Sequence, residues 1–356
     1  GAIITASHNP PQWNGIKMTR DRAIPIIKDE IQKRLVEIIE TERYLPVQSS
    51  EGTLTSRDIQ SDYVAQVLKF NSFAPGARRL KVVIDPGNGT TIRFLPEIMK
   101  QLPVDWEWIN EQPDGNFPGR NPNPLADGAL DGLSKKVIDA GADVGVAFDA
   151  DADRMFFVDE TGRRVSGDVL TALLAKEFLQ LHPGSNIVYN LICSHMVPEE
   201  IVKAGGTPVR SPVGHAFIKP IMREHNAVFG GEISGHFFFR DHYFVDSGLV
   251  AMVVGLSYLA NQAMPLSALV KAIDIYAHTA EVNTKVDDIP ATLAKIKARY
   301  ADGKIDEEDG VTVEYDDWWF NVRPSNTEPL LRLSVEARTT PAMEAKREEL
   351  LKIIRG

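Results

Sequence analysis

Apolar and polar positions follow two rhythms along this chain, and the rhythms trade places repeatedly. Short, nearly continuous apolar runs occur at 1–6, 81–85, 143–148, 155–159, 186–192 and 227–230. Runs this short, rich in Val, Ile and Phe, predict strands buried on both faces. Helical spacing is read at 28–40, from about Thr91, and at 168–181, 194–204 and 247–261. Such alternation predicts α/β architecture. Beyond residue 280 the pattern shifts: a strand at 281–286, a helix at 291–300, two further strands and a charged amphipathic helix from Pro341 predict a small α+β unit. The polar stretch 48–57 reads as a linker and 160–163 as a hairpin turn.

These patterns predict a multidomain chain of repeated mixed-sheet α/β domains followed by a small C-terminal α+β domain. The divisions fall at 1–58, 59–164, 165–278 and 279–356. The chain opens on a strand of the interior type without an initiator Met, which predicts residues upstream and a first domain truncated at its N-terminus. The segments at 1–8, 144–151 and 228–236 each run an apolar strand into a polar loop. Ligands of open α/β sheets collect at the carboxyl ends of strands, so three domains can each present one loop to a shared cleft.

Composition narrows the function classes. The 356 residues carry 39 Lys plus Arg against 49 Asp plus Glu, a net charge of −10. That balance argues against a general nucleic-acid or anionic-membrane binder. One cysteine, Cys193, excludes an internal disulfide and fits a reducing cytosol. The longest apolar run, 249–256, is too short to span a bilayer, and no signal peptide is visible. The five Trp and the apolar helix faces are most simply core.

The strongest chemical signal is Asp149-Ala-Asp-Ala-Asp-Arg154. Folding alone does not require three acids at alternate positions; two like charges ~4 Å apart repel by roughly 4 kcal/mol at an effective dielectric near 20. A divalent cation relieves this, and magnesium suits an all-oxygen ligand set. An acidic surface turn is the plain alternative. A calcium EF-hand fits Glu160 at position twelve, but Arg154 stands where that loop needs Gly, and both flanks read as strands. Arg154 beside a cation suggests a second anion, such as phosphate.

Four further loops carry candidate chemistry. In Thr5-Ala-Ser-His-Asn-Pro10, Ser7 can act as nucleophile or phosphoryl carrier and His8 as proton handler, although the same residues favour ordinary turns. Lys17 is near enough in sequence to reach that site. In Gly231-Glu-Ile-Ser-Gly-His236, Glu232 can accept hydrogen bonds from adjacent sugar hydroxyls and His236 can donate; a capped turn with a core histidine is the alternative. Arg323 offers a planar fork for phosphate, with Ser325, Asn326 and Thr327 as further donors in an anion nest. Arg210 and His215 add positive character around Pro212-Val-Gly-His-Ala216. The turn Pro86-Gly-Asn-Gly-Thr90 lacks the Lys-Ser/Thr ending of a nucleotide-binding loop and reads as a plain strand-to-helix turn.

Together these loops resemble the α-D-phosphohexomutase family, the phosphomannomutase/phosphoglucomutase enzymes. The segment 5–10 is similar to its phosphoserine loop, 149–154 to its metal loop, 231–236 to its sugar-binding loop and 323–327 to its phosphate-binding loop, in family order along the whole chain. The resemblance implies four domains around a central cleft, a phosphorylated Ser7, and magnesium held by Asp149, Asp151, Asp153 and the phosphoserine. It implies interconversion of hexose 1-phosphate and hexose 6-phosphate through a bisphosphorylated sugar, with hexose 1,6-bisphosphate as activator. Ser7, His8, Lys17 and Arg154 are then the catalytic candidates. Arg210, His215, Glu232, Ser234, His236, Arg323, Ser325, Asn326 and Thr327 are the substrate-binding ones. Mannose is the preferred sugar, with glucose acceptable if Glu232 grips the O3 and O4 that both share. The partners implied are small sugar phosphates, with no nucleic acid and no membrane, for a cytoplasmic monomer or weak homodimer. Two features depart from the family: about a hundred residues before the phosphoserine loop are absent, and Ala150 stands where Gly is frequent. The segment 190–193 also lacks a lysine that some relatives place there, so no site residue is assigned to it. Alternatives are a phosphoglucomutase or phosphoglucosamine mutase, a catalytically impaired sugar-phosphate-binding fragment, and a magnesium-dependent phosphatase.

Overall fold

The structure, a computed structural model, describes residues 1–26, 33–46, 52–325 and 329–356. They form two compact units. The first is Gly1–Ser166 with Ser234–Ser267, the second Gly167–Ile233 with Ala268–Gly356.

The first unit is built on a four-stranded mixed sheet in the order Val104–Trp108, Leu80–Asp85, Val144–Phe148, Met155–Asp159. The first three strands are parallel and the last is antiparallel. Every residue of Val144–Phe148 and Met155–Asp159 is buried, as their uninterrupted apolar character predicts. Val104–Trp108 escapes the sequence pattern because it is an edge strand, with Asp105 and Glu107 alternating against its apolar positions. The helix Asp131–Ala140 packs Leu133 and Val137 onto the sheet and ends at Gly141, which takes the left-handed conformation (φ 57°) that glycine adopts without steric cost. Its approach is close: a Cβ at Gly145 would lie 2.7 Å from Val137 Cγ2.

The helix Gly248–Ala260 is buried at every position, which accounts for its apolar character all round. The Ser247 hydroxyl caps its N-terminus by accepting from Val250 N at 3.3 Å. It packs against the helix Gln60–Leu68 and the strand Met155–Asp159. Phe237–Phe239 and Val245–Asp246 form an antiparallel pair nearby in sequence.

The opening strand, Ala2–Ile4, pairs with Ile16–Met18, and Ile3 and Ile4 are 60% and 68% exposed. Two expectations are corrected. The helix expected from Thr91 is a 3-10 turn, Thr90–Arg93, followed by a short helix, Leu95–Met99. Pro96, which lacks an amide hydrogen, sets the helix start there. Of the tryptophans, Trp13 is exposed and Trp106 and Trp108 are half-buried; Trp318 and Trp319 are core. The helix expected over 28–40 is described as Lys33–Glu40. Its start, and residues 48–51 of the expected linker, lie outside the described residues.

In the second unit Asn186–Asn190 lies between Thr207–Ser211 and Phe229–Gly231, all parallel. The largely buried helix Gly167–Leu181 packs beside them. A Cβ at Gly231 would lie 2.2 Å from Thr171 Oγ1, so glycine permits this approach. The C-terminal part is an antiparallel sheet in the order Ala277–His278, Leu330–Ala337, Trp318–Pro324, Val311–Glu314, Lys304–Asp306, with Val282–Lys285 also on Leu330–Ala337. It holds more strands than the sequence pattern indicates. The helices Ile289–Arg299 and Thr340–Arg355 cover it, burying Ile296, Val313, Phe320, Leu333, Leu350 and Ile354. Asp288 and Thr339 cap these helices, each with a proline in the first turn. The architecture is α/β with mixed sheets and a small C-terminal α+β part. No helix of the described residues is long and apolar enough to cross a membrane.

Candidate active site

The loop from Asp149 to Arg154 joins two buried strands, Val144–Phe148 and Met155–Asp159, and therefore has fixed ends. Ala152 takes φ 65° and Gly248 N donates to Ala152 O at 3.0 Å, which folds the loop tightly. Asp149, Asp151 and Asp153 are thereby turned together, with one carboxylate oxygen from each within 4.8 Å of the others. Asp149 is fully buried, and its Oδ1 accepts from Arg154 N at 3.1 Å.

The N-terminal loop is fastened to this acidic loop. Thr5 Oγ1 donates to Asp151 Oδ2 at 2.7 Å and accepts from Ser7 N at 2.9 Å. Lys17, opposite Ile3 in the exposed hairpin, reaches Asp151 Oδ2 at 3.0 Å and Asp153 Oδ2 at 2.6 Å. Ser7 itself has φ 56°, an uncommon conformation for a residue with a side chain.

Proton positions follow from the donors. His8 Nδ1 lies 2.8 Å from Arg154 Nη2 and 3.0 Å from Ser7 Oγ. A guanidinium only donates, so Nδ1 is an acceptor and the Ser7 hydroxyl points its hydrogen at it. Burial, and then the adjacent Arg154 charge, push His8 down to about 4, which agrees with a neutral ring. His236 Nε2 sits between Arg154 Nε at 3.3 Å and Asp153 Oδ1 at 3.4 Å, and its Nδ1 is 2.9 Å from Ser234 Oγ. An unprotonated Nε2 accepts from Arg154, and a protonated one donates to Asp153.

The carboxylates are driven apart electrostatically. Burial, then Asp153 and Asp151, raise Asp149 well above the usual range. Burial also works against ionised Asp153, but contacts with His236 and Lys17 outweigh it and hold Asp153 well below that range. For Lys17 burial alone lowers the pKa, and the pull of Asp153 and Asp151 more than reverses it.

The donor set fits a hard divalent cation. Asp149 Oδ2 and Asp151 Oδ1 are buried and accept no hydrogen bond among the described residues, Arg154 Nε standing 3.6 Å from the first. Lys17 already places a positive charge between two of the carboxylates. Oxygen-only ligands favour magnesium or calcium over softer metals. Asp153, His236 and Asp246 form a second group with ligand atoms within the same spacing; Asp246 carries no signal in the sequence that marks it.

The remaining candidates lie in the second unit, except Ser234 and His236. Glu232 is buried and its Oε1 accepts from Gly214 N at 2.9 Å, next to His215 at the start of the helix His215–Glu224. Arg210 Nη1 is engaged by Asp306 at 3.0 Å and Glu314 at 3.4 Å. Arg323 is 5% exposed and donates to Glu281 Oε1 at 2.6 Å. Arg332, facing Arg323 across the strand pair, donates to Glu281 Oε2 at 2.9 Å and to Ser325 Oγ at 3.3 Å. Sequence reasoning missed Thr5, Arg332 and Glu281 as members of these clusters. The cross-strand register that joins Arg323 to Arg332 is invisible in a single sequence. Asn326 and Thr327 lie outside the described residues.

Family models match the chain along almost its whole length, under the description phosphoglucomutase/phosphomannomutase: alpha/beta/alpha domain I at 1–45, alpha/beta/alpha domain II at 61–162, alpha/beta/alpha domain III at 166–276 and the C-terminal domain at 281–353. A phosphomannomutase of Methanocaldococcus jannaschii is 38% identical over 99% of this chain and 78% of its own length. One from Escherichia coli is 36% identical over 100% and 80%. The crystal structure of a phosphoglucomutase/phosphomannomutase family protein from Burkholderia thailandensis superimposes with a TM-score of 0.89 at 31% identity, over 99% of this chain and 75% of that one. Mutases of this kind are isomerases, intramolecular phosphotransferases, and this chain is an enzyme of that class. The chain belongs to the phosphoglucomutase/phosphomannomutase family.

Proposed function

We propose that the chain interconverts hexose 1-phosphate and hexose 6-phosphate, with mannose preferred and glucose accepted, through a phosphoryl group carried on Ser7 and a bisphosphorylated sugar. The observation that carries this reading is the fastening of the Ser7 loop onto the acidic loop, through Thr5 and Lys17 to Asp151 and Asp153 and through His8 to Arg154. A nucleophilic hydroxyl, a proton acceptor and three carboxylates are thus held in one place. Asp149, Asp151 and Asp153 are the residues to hold magnesium, which supplies charge neutralisation at a transferring phosphoryl group.

The chain's own groups do the rest. Ser7 Oγ gives up its proton toward His8 Nδ1 as it accepts a phosphoryl group. Arg154 steadies that imidazole and the charge on the phosphoserine. Lys17 or His8 moves the proton of the sugar hydroxyl. Glu232 accepts hydrogen bonds from O3 and O4, which mannose and glucose present alike. Arg323, with Ser325, Asn326 and Thr327, takes the phosphate that is not reacting. The divisions at 58, 164 and 278 give each part of the chain one of these loops. A trace of hexose 1,6-bisphosphate serves to phosphorylate Ser7.

The test is a coupled assay with mannose 1-phosphate, glucose 1-phosphate and glucosamine 1-phosphate, each with trace hexose bisphosphate, on wild type and Ser7→Ala. Isomerisation by wild type that is abolished in Ser7→Ala supports the reading, and equal turnover in the variant removes Ser7 from the mechanism. Steady phosphate release without isomerisation identifies a phosphatase instead.

A further inference from the structure

The turn after the strand Leu80–Asp85, Pro86-Gly-Asn-Gly-Thr90, reads in sequence as a plain connection, yet it and its neighbours grip the acidic loop at two backbone carbonyls. Arg120 Nη2 donates to Phe148 O at 2.5 Å, immediately before Asp149. The same guanidinium donates from Nε to Asp85 Oδ2 at 2.7 Å, from Nη2 to Asp85 O at 3.3 Å and from Nη1 to Asn121 O at 3.0 Å. The Arg120 and Asp85 side chains are 5% and 1% exposed. Asp85 is held in turn, its Oδ1 accepting from Gly87 N at 2.8 Å and Asn110 Nδ2 at 3.1 Å. On the other side of Asp149, Thr90 donates to Ala150 O from its amide at 3.0 Å and from its hydroxyl at 3.2 Å.

The two glycines make the grip possible. A Cβ at Gly87, which has φ +61°, would lie 2.6 Å from Arg120 Nη2, and one at Gly89 would lie 2.5 Å from Ala150 O. The carbonyls on either side of Asp149 are therefore pinned to the end of the adjacent parallel strand, where Asp85 pairs with Ala147. That matters for carboxylates that repel each other: a loop free to relax would spread them, whereas a pinned loop keeps them converged before a cation arrives. Groups one step behind metal ligands commonly set affinity in this way.

We infer that Arg120, clamped by Asp85, is a positioning residue for the divalent-cation site, and that with Thr90 it fixes the backbone on which Asp149 and Asp151 are mounted. The inference rests on the reading of the acidic loop as that site. Lysine cannot replace the fork, because one ammonium cannot serve both Asp85 Oδ2 and Phe148 O in the same geometry. A cavity of about 220 Å³ beside the pair gives a lysine room to fold without a clash.

The experiment measures Mn2+ affinity by electron paramagnetic resonance on wild type, Arg120→Ala and Arg120→Lys, together with melting temperature and the KM for mannose 1-phosphate at saturating Mg2+. The expected result is a dissociation constant for Mn2+ raised roughly tenfold or more in Arg120→Ala and severalfold in Arg120→Lys. KM stays within about twofold, and activity is recovered as Mg2+ is raised. A wild-type dissociation constant in either folded variant overturns the inference. If Arg120→Ala does not fold, Arg120→Lys decides; failure of both to fold assigns the pair a purely structural role and also overturns it. Wild type that binds no Mn2+ overturns the cation-site reading itself, and this inference with it.

Discussion

Thr5 Oγ1 donates a 2.7 Å hydrogen bond to Asp151 Oδ2 across 146 positions of sequence. The same hydroxyl accepts from Ser7 N, so one small side chain sets both the acidic loop and the backbone of the candidate nucleophile. Thr5→Val keeps the shape and deletes both bonds. The expected outcome is a fall in kcat of roughly tenfold with KM little changed, and a loss of about 1–2 kcal/mol in stability from an amide left without its partner. Steady-state kinetics beside urea unfolding separates the two effects.

Lys17 occupies the charge position between Asp151 and Asp153 that a cation also favours. Lys17→Met removes that competitor. Calorimetric titration is expected to show tighter Mg2+ binding than wild type, by roughly tenfold given about 1.4 kcal/mol per decade. The metal-free variant is expected to melt a few degrees lower, with the difference closing as Mg2+ is added. Unchanged Mg2+ affinity would mean that the ammonium does not compete.

The helix Gly248–Ala260 begins against the acidic loop. A Cβ at Gly248 would lie 2.7 Å from Arg154 O and 2.8 Å from Ala152 O, both backbone atoms. Gly248→Ala is expected to cost about 1–3 kcal/mol, in the range of overpacked interiors, and to weaken Mg2+ binding because the loop must move away from the helix. Thermal melts with and without Mg2+ test this; a variant with wild-type cation affinity would show that the loop tolerates the shift.

His242, which interacts with Asp246, gives a pH dependence of stability. Its ring is buried among Tyr63, Phe70 and Tyr243, and its Nδ1 has no hydrogen-bond partner among the described residues. Burial lowers its pKa below the ordinary 6.5, with Asp246 pulling weakly the other way. The unfolded chain therefore binds a proton that the folded chain refuses. Stability from this group is complete above about pH 6.5 and falls as pH drops toward the lowered folded value, by at most about 1.4 kcal/mol per pH unit. His242→Phe is expected to flatten that part of the stability curve between pH 7 and 5. An unaltered acid limb in the variant would assign the loss to other groups.

Much of this was legible in the sequence where burial leaves a strong local pattern. The strands Val144–Phe148 and Met155–Asp159 have no polar interruption, so their ends, and the acidic loop between them, could be placed from residue types alone. The helix Gly248–Ala260 announces itself by length and apolarity. What escaped was decided by partners distant in the chain. Arg323 was visible as an anion-binding candidate, but its sharing of Glu281 with Arg332 depends on cross-strand register. Thr5 lay within a recognised motif, yet its bond to Asp151 needs the hairpin to Ile16–Met18 to bring it there.

The first unit takes its residues from two separated stretches of chain, and its fully buried helix Gly248–Ala260 comes from the second. A ribosome adding about 5–20 residues per second needs roughly 5–20 s to travel from residue 166 to residue 267. Throughout that interval the strand Met155–Asp159 lacks the helix that later packs against it. Vectorial synthesis thus builds in a delay during which molecular chaperones have a defined apolar target, and codon choice across residues 167–260 sets how long it lasts.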